Sequence, residues 1–318
     1  MQPFLIAAVV PVYNRATTVL QTLESIAAQT LPPRRLLVVD DGSRDGSAES
    51  VERWIASRSL PFEARVVRQA NGGVSSARNC ALRQATDTPW LAFLDSDDCW
   101  PVDFLARAAV ALAAQPKAIA ASADRLFVEV ETGAERLYDT SELAAGPAMW
   151  MLAHGAAVCS CSVVRADAVR AAGGFPEQLA TGEDAALFLP LSLRGSWLHL
   201  PGTPVRFLRQ APKRGGEEAA LSRKFIDNQR RWARVYEAFF TTLSRRDFSR
   251  MGKRARICRL LSERWRRAAE ELERHRQWLA AARCYTRSIR WRPGRWDRWR
   301  PLMRMPWTAL SGPPRRAA

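Results

Sequence analysis

Three short apolar runs, residues 5–10, 36–39 and 90–94, with a short strand pattern at 64–67, constrain this chain more than any other feature. A run that is apolar at successive positions belongs to a strand covered on both faces, as in a parallel sheet. Between the runs the period changes to that of a helix. Thr17 or Thr18 caps a segment reaching Ala28, with Val19, Leu23 and Ile26 on one face; a second helix is expected over 47–57 and a third opens at 75–79. Such strand-helix alternation implies a doubly wound, mostly parallel central sheet with right-handed crossovers and helices on both faces. Ligands of these sheets bind at the carboxyl ends of the strands. Three polar segments fall there: 11–15, 40–43 and 95–98.

The pattern is less regular further on. A helix is expected over 101–114, strands over 119–122, 125–130 and 159–164, a helix over 143–153, a helical turn at 168–172 and strands over 197–200 and 205–208. Residues 181–184, Thr-Gly-Glu-Asp, lead into an amphipathic segment over 185–193. Beyond 213–216 the residue usage shifts to Arg, Ala, Trp and Leu at helical spacing, which sets a boundary there: 1–215 as one domain, with halves 1–115 and 116–215, and 216–318 as a basic helical extension.

Charge follows the same division. Residues 223–318 hold 27 Lys and Arg against 8 Asp and Glu, a net of +19, so the formal charge of +16 is a property of the tail, and residues 1–222 are at −3. Seven of the twelve tryptophans lie in that tail as well. The six cysteines show no CxxC pair and read as reduced core thiols. No apolar run approaches a membrane span, and the first residues lack a basic segment and cleavage site, so a cytosolic protein is expected.

The acidic stretch Asp95-Ser96-Asp97-Asp98 ends the fourth expected strand, 90–94. Such a strand end offers hard oxygen ligands to Mg2+ or Mn2+, which can in turn hold a nucleotide's phosphates. Alternatively the carboxylates cap the helix that follows Pro101. In series, Val10-Pro11-Val12-Tyr13-Asn14-Arg15, Asp40-Asp41-Gly42-Ser43-x-Asp45-Gly46, Asn71-x-Gly73-x-Ser75-x-Ala77-Arg78-Asn79, Leu94-Asp95-x-Asp97-Asp98 and Gly182-Glu183-Asp184 resemble the family 2 glycosyltransferases, inverting enzymes of the GT-A fold. The resemblance covers roughly residues 4–210.

It implies a nucleotide-diphospho-sugar donor, commonly a UDP-sugar, held with a divalent metal. Pro11, Tyr13, Asn14 and Arg15 then line the donor site, with Tyr13 free to stack on the base. Asp41, or Asp40 beside it, accepts the imide N–H of uracil. Arg78 reaches Asp95 or a phosphate. Asp95 serves the ribose hydroxyls, with Ser96 beside it, and Asp97, joined by Asp95, serves the metal. Asp184 is the expected base that takes the acceptor's proton, with Glu183 as second choice; both could instead cap the next helix. The family often has a basic residue a turn after this motif, where this chain has Pro190.

Acceptor contacts are less legible. Trp150, His154, Phe175 and Trp197 could stack on sugar rings or belong to the core. The expected acceptor is a glycan or lipid-linked glycan of cell-surface polysaccharide or lipopolysaccharide assembly. The tail could pack as a solvated basic face or lie on an anionic membrane surface, with Trp291, Trp296, Trp299 and Trp307 at headgroup level. Nucleic-acid binding is less favoured. Tyr285 to Pro293 echoes the end of a tetratricopeptide unit, a partial match only. The rival functions are a nucleotidyltransferase, which would need a Gly-rich loop that 11–15 does not supply, or an inactive binding protein working through its tail.

Overall fold

The computed structural model describes residues 4–155, 158–209, 225–252, 254–294 and 299–304. Its chain divides into two compact units, Met1–Ala219 and Ala220–Ala318. The boundary expected at 213–216 lies outside the described residues.

The first unit is built on one nine-stranded sheet: β1 (Ile6–Val12), β2 (Arg35–Asp40), β3 (Glu63–Arg68), β4 (Trp90–Phe93), β5 (Asp98–Cys99), β6 (Ala118–Glu129), β7 (Glu135–Tyr138), β8 (Ser162–Arg165) and β9 (Ser196–Arg209). The order is β3-β2-β1-β4-β8-β6-β9-β5, with β7 on β6. The first four strands pair in parallel, as the alternation requires. Their crossovers run through α1 (Val19–Ala27), α2 (Ser47–Ala56) and α3 (Val74–Gln84). Strand β1 is buried along its whole length, and Val19, Leu23 and Ile26 form the buried face of α1. From β4 onward the sheet is mixed: β8 joins β4 and β6 antiparallel, while β9 runs parallel to β6. Helices α4 (Phe104–Ala114), α5 (Pro147–His154), α6 (Ala166–Ala171) and α7 (Glu183–Leu191) complete this half.

Several expected boundaries shift for local reasons. Helix α4 begins three residues beyond Pro101, where Gln29, at the end of α1, caps it by accepting from the Leu105 amide at 3.0 Å. A cap supplied from 76 residues away leaves no local signal. Gly146 and Pro147 delay α5, leaving Leu143 in a single 3-10 turn. The two strands expected over 119–130 are one, because Asp124 sits at a register shift against β9, where the partner skips from Leu200 to Val205. The strand expected from 159 starts at Ser162, since 158–161 close a turn through Cys161 N–H to Val158 O and Ser162 N–H to Cys159 O.

The second unit is helical: α8 (Asn228–Thr242), α9 (Arg245–Arg250), α10 (Arg254–Arg274), α11 (Trp278–Trp291) and α12 (Arg300–Arg304). Its core gathers Ala233, Trp265, Ala268, Ala269, Leu272, Ala281 and Tyr285, with Trp278, Trp291 and Leu302 packed against it. Trp296 and Trp307 lie outside the described residues. Among the described residues, no helix is long and apolar enough to cross a membrane. All six cysteines are free thiols.

Candidate active site

The parallel strands bring three of the expected segments to one end of the sheet. After β1, Asn14 takes a left-handed conformation (φ 51°) that turns the chain and leaves Tyr13 39% exposed. Asn14 stitches this loop to the one after β2: its amide donates to Ser43 Oγ at 3.0 Å, and its Oδ1 accepts from the Arg44 amide at 2.9 Å. The Arg15 and Ala16 amides donate to Ser47 Oγ and Asp45 Oδ2. Asp45, outside the expected donor contacts, is thus a brace between two donor-side loops.

Asp41 and Asp40 are both buried, and they differ in how their oxygens are engaged. Asp41 accepts the Gly72 and Gly73 amides at 2.8 Å, one on each oxygen, and Gln69 Nε2 at 2.8 Å. It therefore shapes the loop before α3 and keeps one acceptor position on Oδ2. At Gly72 a Cβ would come within 2.8 Å of Ser76 Oγ, so the loop closes this tightly only because no side chain stands there. Asp40 accepts the Ser43 amide with Oδ2, while its buried Oδ1 has no partner. An orphaned buried acceptor is costly unless an N–H arrives.

Arg78, on α3, is the hub of the site. It is 2% exposed, and its two terminal nitrogens donate to Asp95 Oδ1 at 2.6 Å and Glu183 Oε1 at 2.9 Å, with the guanidinium over the Phe175 ring. The sequence left open whether Arg78 faced Asp95 or a phosphate; it faces two carboxylates. Its neighbour Asn79 accepts the Phe175 amide and donates to Phe175 O and Glu177. One turn of α3 thereby ties the first half of the sheet to residues 175–183.

In the acidic loop, the Asp95 amide donates to Ser160 Oγ, and the Trp100 indole donates to Ser160 O at 2.7 Å. Ser160 was not foreseen as a support; only its place in Cys159-Ser-Cys161 hinted at anything. Ser96, beside Asp95, is buried at 6% exposure. Burial and the charge of Asp95 push the Asp97 carboxyl up, against the pull of Arg15 and Arg209. Arg15 Nε stands 3.9 Å from Asp97 Oδ2, too far for a committed pair. Asp98, in β5, is buried and pushed well above the carboxylate range by burial, then by Asp97 and Asp95. These carboxylates are short of positive charge, and hard oxygen donors in that condition fit a divalent Mg2+ or Mn2+. A cavity of about 250 Å3 opens beside Asp97, lined also by Gln21, Thr22, Val128 and Arg206.

Helix α7 starts after Gly182, which is left-handed (φ 82°) and offers no side-chain cap. Glu183 is committed to Arg78. Among the described residues Asp184 has no ion-pair partner, and its Oδ1 accepts the next amide, that of Ala185, at 2.7 Å. Burial above all, and then the charge of Glu183, raise its pKa to about 8, although Arg78 and the Ala185 amide favour the ionised form. Adjacent residues thus divide into one neutralised carboxylate and one poised to take a proton. Cys159 is buried against Arg78 and these acids, its thiol held well above the ordinary range by burial.

The aromatic candidates for acceptor stacking are mostly core: Trp150, Phe175 and Trp197 are at most 5% exposed, and only His154 is open. Elsewhere in the first unit, Asp124, Asp139 and His199 bring ligand atoms within 4.8 Å of one another. Asp124 also receives the Thr140 amide and hydroxyl, which accounts for the group as a pin on the turn after β7.

A sequence profile described as "Glycosyl transferase family 2" matches residues 7–171. Among curated proteins, the succinoglycan biosynthesis protein ExoW of Rhizobium meliloti is 38% identical over 109 residues, 32% of this chain and 32% of its own. Matches of this kind span between 14% and 39% of the relatives' lengths. Staphylococcus aureus TarS 1-349 in complex with UDP superimposes with a TM-score of 0.63 at 20% identity, over 96% of this chain and 88% of that one. The mannosyltransferase PcManGT of Pyrobaculum calidifontis, in complex with GDP-Man and Mn2+, gives 0.58 at 21% identity, covering 94% of this chain and 78% of its own. These structures share the GT-A fold of the first unit. The profile match covers more than half of the chain, which therefore belongs to glycosyl transferase family 2.

Proposed function

We propose that the chain is a metal-dependent, inverting glycosyltransferase that moves a sugar from a nucleotide diphosphate, UDP foremost, to an acceptor hydroxyl. The observation that carries this reading is Asp184, partly desolvated and without an ion-pair partner among the described residues, beside a Glu183 that Arg78 has neutralised. Asp184 takes the acceptor's proton while the acceptor oxygen attacks the anomeric carbon and the bond to the diphosphate breaks. Arg78 acts by position, fixing Asp95 and Glu183 so that Asp184 keeps its orientation. Asp97, with the free oxygen of Asp95, would hold Mn2+ or Mg2+, which when bound neutralises charge on the leaving diphosphate. Arg15, loosely held by Asp97, can turn to a phosphate. Tyr13 stacks on the base, and Asp41 Oδ2 or Asp40 Oδ1 receives its imide N–H.

The polysaccharide role in the ExoW name, the UDP bound by TarS and the GDP-Man and Mn2+ bound by PcManGT support this assignment. The acceptor is then a glycan or lipid-linked glycan at the cytosolic face of a membrane, in polysaccharide or lipopolysaccharide assembly. A thermal-shift screen of UDP-, GDP- and dTDP-sugars with Mn2+ or Mg2+ tests the donor assignment. A UDP-sugar with metal should raise the melting temperature most; no shift with any nucleotide sugar would refute it.

A further inference from the structure

The second unit carries a pattern that its apolar stripes alone do not explain. Trp265-x2-Ala268-Ala269-x2-Leu272 on α10, then Ala281-x3-Tyr285, Ser288 and Pro293 on and after α11, fall at the spacings of a 34-residue tetratricopeptide repeat. Small or apolar residues stand wherever that repeat buries them. Trp232, Trp265 and Trp299 recur 33 and 34 residues apart, followed three positions later by Val235, Ala268 and Leu302. The structure supplies the matching architecture. Helices α10 and α11 form an antiparallel hairpin closed at 275–277, where Arg276 takes φ 58°, and the repeat positions are its core. Helix α8 packs on α10, and α12 on α11.

Charge on this hairpin is polarised. Helix α11 carries Arg283, Arg287 and Arg290 and no acid, and the first turns of α10 carry Arg254, Arg256 and Arg259 and no acid. The glutamates of α10 lie further along, where Glu263 and Glu270 pair with Arg266 and Glu263 also with Arg267. Ser262 and Ser288 are hydrogen-bonded across the two helices at 3.1 Å, which puts Arg259 and Arg290, both exposed, at neighbouring levels near the open end. We propose that this unit is a tetratricopeptide-like repeat whose arginine-bearing open end docks an acidic peptide segment of a protein partner.

The tryptophans distinguish this partner from a lipid surface. An interfacial helix needs exposed aromatic or aliphatic residues below its cations. Here Trp265 is buried, and Trp278 and Trp291 pack into the hairpin core, Trp291 donating to Glu237; of the described tryptophans in this unit only Trp299 is exposed. Among the described residues the other exposed large apolar side chains of this unit are Ile226, Leu279 and Met303, none of them on the first turns of α10 or the last turn of α11. There guanidinium stands outside, and its planar fork matches carboxylates two hydrogen bonds at a time.

Fluorescence anisotropy of the full chain with a labelled octaglutamate peptide tests the proposal, alongside co-sedimentation with phosphatidylcholine–phosphatidylglycerol vesicles. The peptide should bind in a salt-sensitive manner. The double variant Arg259→Glu/Arg290→Glu should weaken it by about tenfold or more, as expected for losing two charge-assisted contacts. Lys117→Glu/Arg194→Glu, an equal charge change on exposed positions of the first unit, should leave it unchanged, and Arg259→Lys/Arg290→Lys should retain most of it. The proposal is overturned if the peptide does not bind, if both reversals weaken it equally, or if Arg259 and Arg290 govern vesicle binding instead.

Discussion

The carboxyl-end loops of the first unit and the helices of the second are both dense in charge and treat it in opposite ways. In the first, Asp95, Asp97, Asp98, Glu183 and Asp184 surround a buried Arg78, so that burial and mutual repulsion lift Asp97, Asp98 and Asp184 away from ordinary carboxylate behaviour. In the second, most arginines reach solvent, Arg264 being buried over the Tyr236 ring; glutamates answer some of them at helical spacing, and tryptophan fills the interior. Desolvated charge is reactive and costly; solvated charge is cheap and changes little but long-range attraction. Chemistry therefore belongs to the less charged part of a chain whose net charge of +16 suggests the other.

The contrast breaks first at its two most buried anchors. Arg78→Met leaves Glu183 without its partner and should cost about 3–5 kcal/mol of stability, read by denaturant unfolding. A variant that unfolds like the parent would mean that the pair is not buried in solution. Trp265→Ala should cost about 3–5 kcal/mol as well, in this case as an apolar cavity in the second unit, and should leave nucleotide binding by the first unit intact.

A subtler effect comes from Asp184. Its folded pKa, about 8, lies above its ordinary value of 3.8, so the folded state holds the proton more tightly than the unfolded chain. Stability from this group is present at low pH and is lost as pH rises from the unfolded value towards 8. Asp184→Asn should thus raise the melting temperature by several degrees at pH 8 and hardly at all near pH 4. An equal shift at both would sever burial from the perturbed carboxyl. Smallest of all, Glu263→Ala removes partners of Arg266 and Arg267 on an open helix face and should cost under about 1 kcal/mol. A larger loss would show that the second unit's charges are not merely solvated.

The parallel half of the fold was legible because a strand buried on both faces must be apolar at successive positions, as 5–10 and 90–94 are. The mixed half was not, since its strands alternate, bulge at Asp124 and depend on caps such as Gln29 that come from distant sequence. The motifs named Asp97, Arg78 and Asp184 as site residues, yet no spacing could say that Arg78 spends both of its terminal nitrogens on Asp95 and Glu183. That choice needs a contact across 105 residues, and it separates Glu183 from Asp184. Ser160 and Asp45, which brace the loops by accepting backbone amides, have no motif of their own. In the tail the helical stripes were legible, while the destination of the tryptophans was settled by packing.

The central claim is that Asp184, and not Glu183, takes the acceptor's proton. Transfer from the best-binding UDP-sugar should be measured for Asp184→Asn and Glu183→Gln beside UDP affinity in the presence of Mn2+. The account predicts that Asp184→Asn keeps UDP affinity within about twofold while transfer falls by about 10²–10⁴, the usual contribution of a general base. Glu183→Gln should retain more transfer than Asp184→Asn and lose stability. Full transfer by Asp184→Asn, at unchanged UDP affinity, would contradict the account.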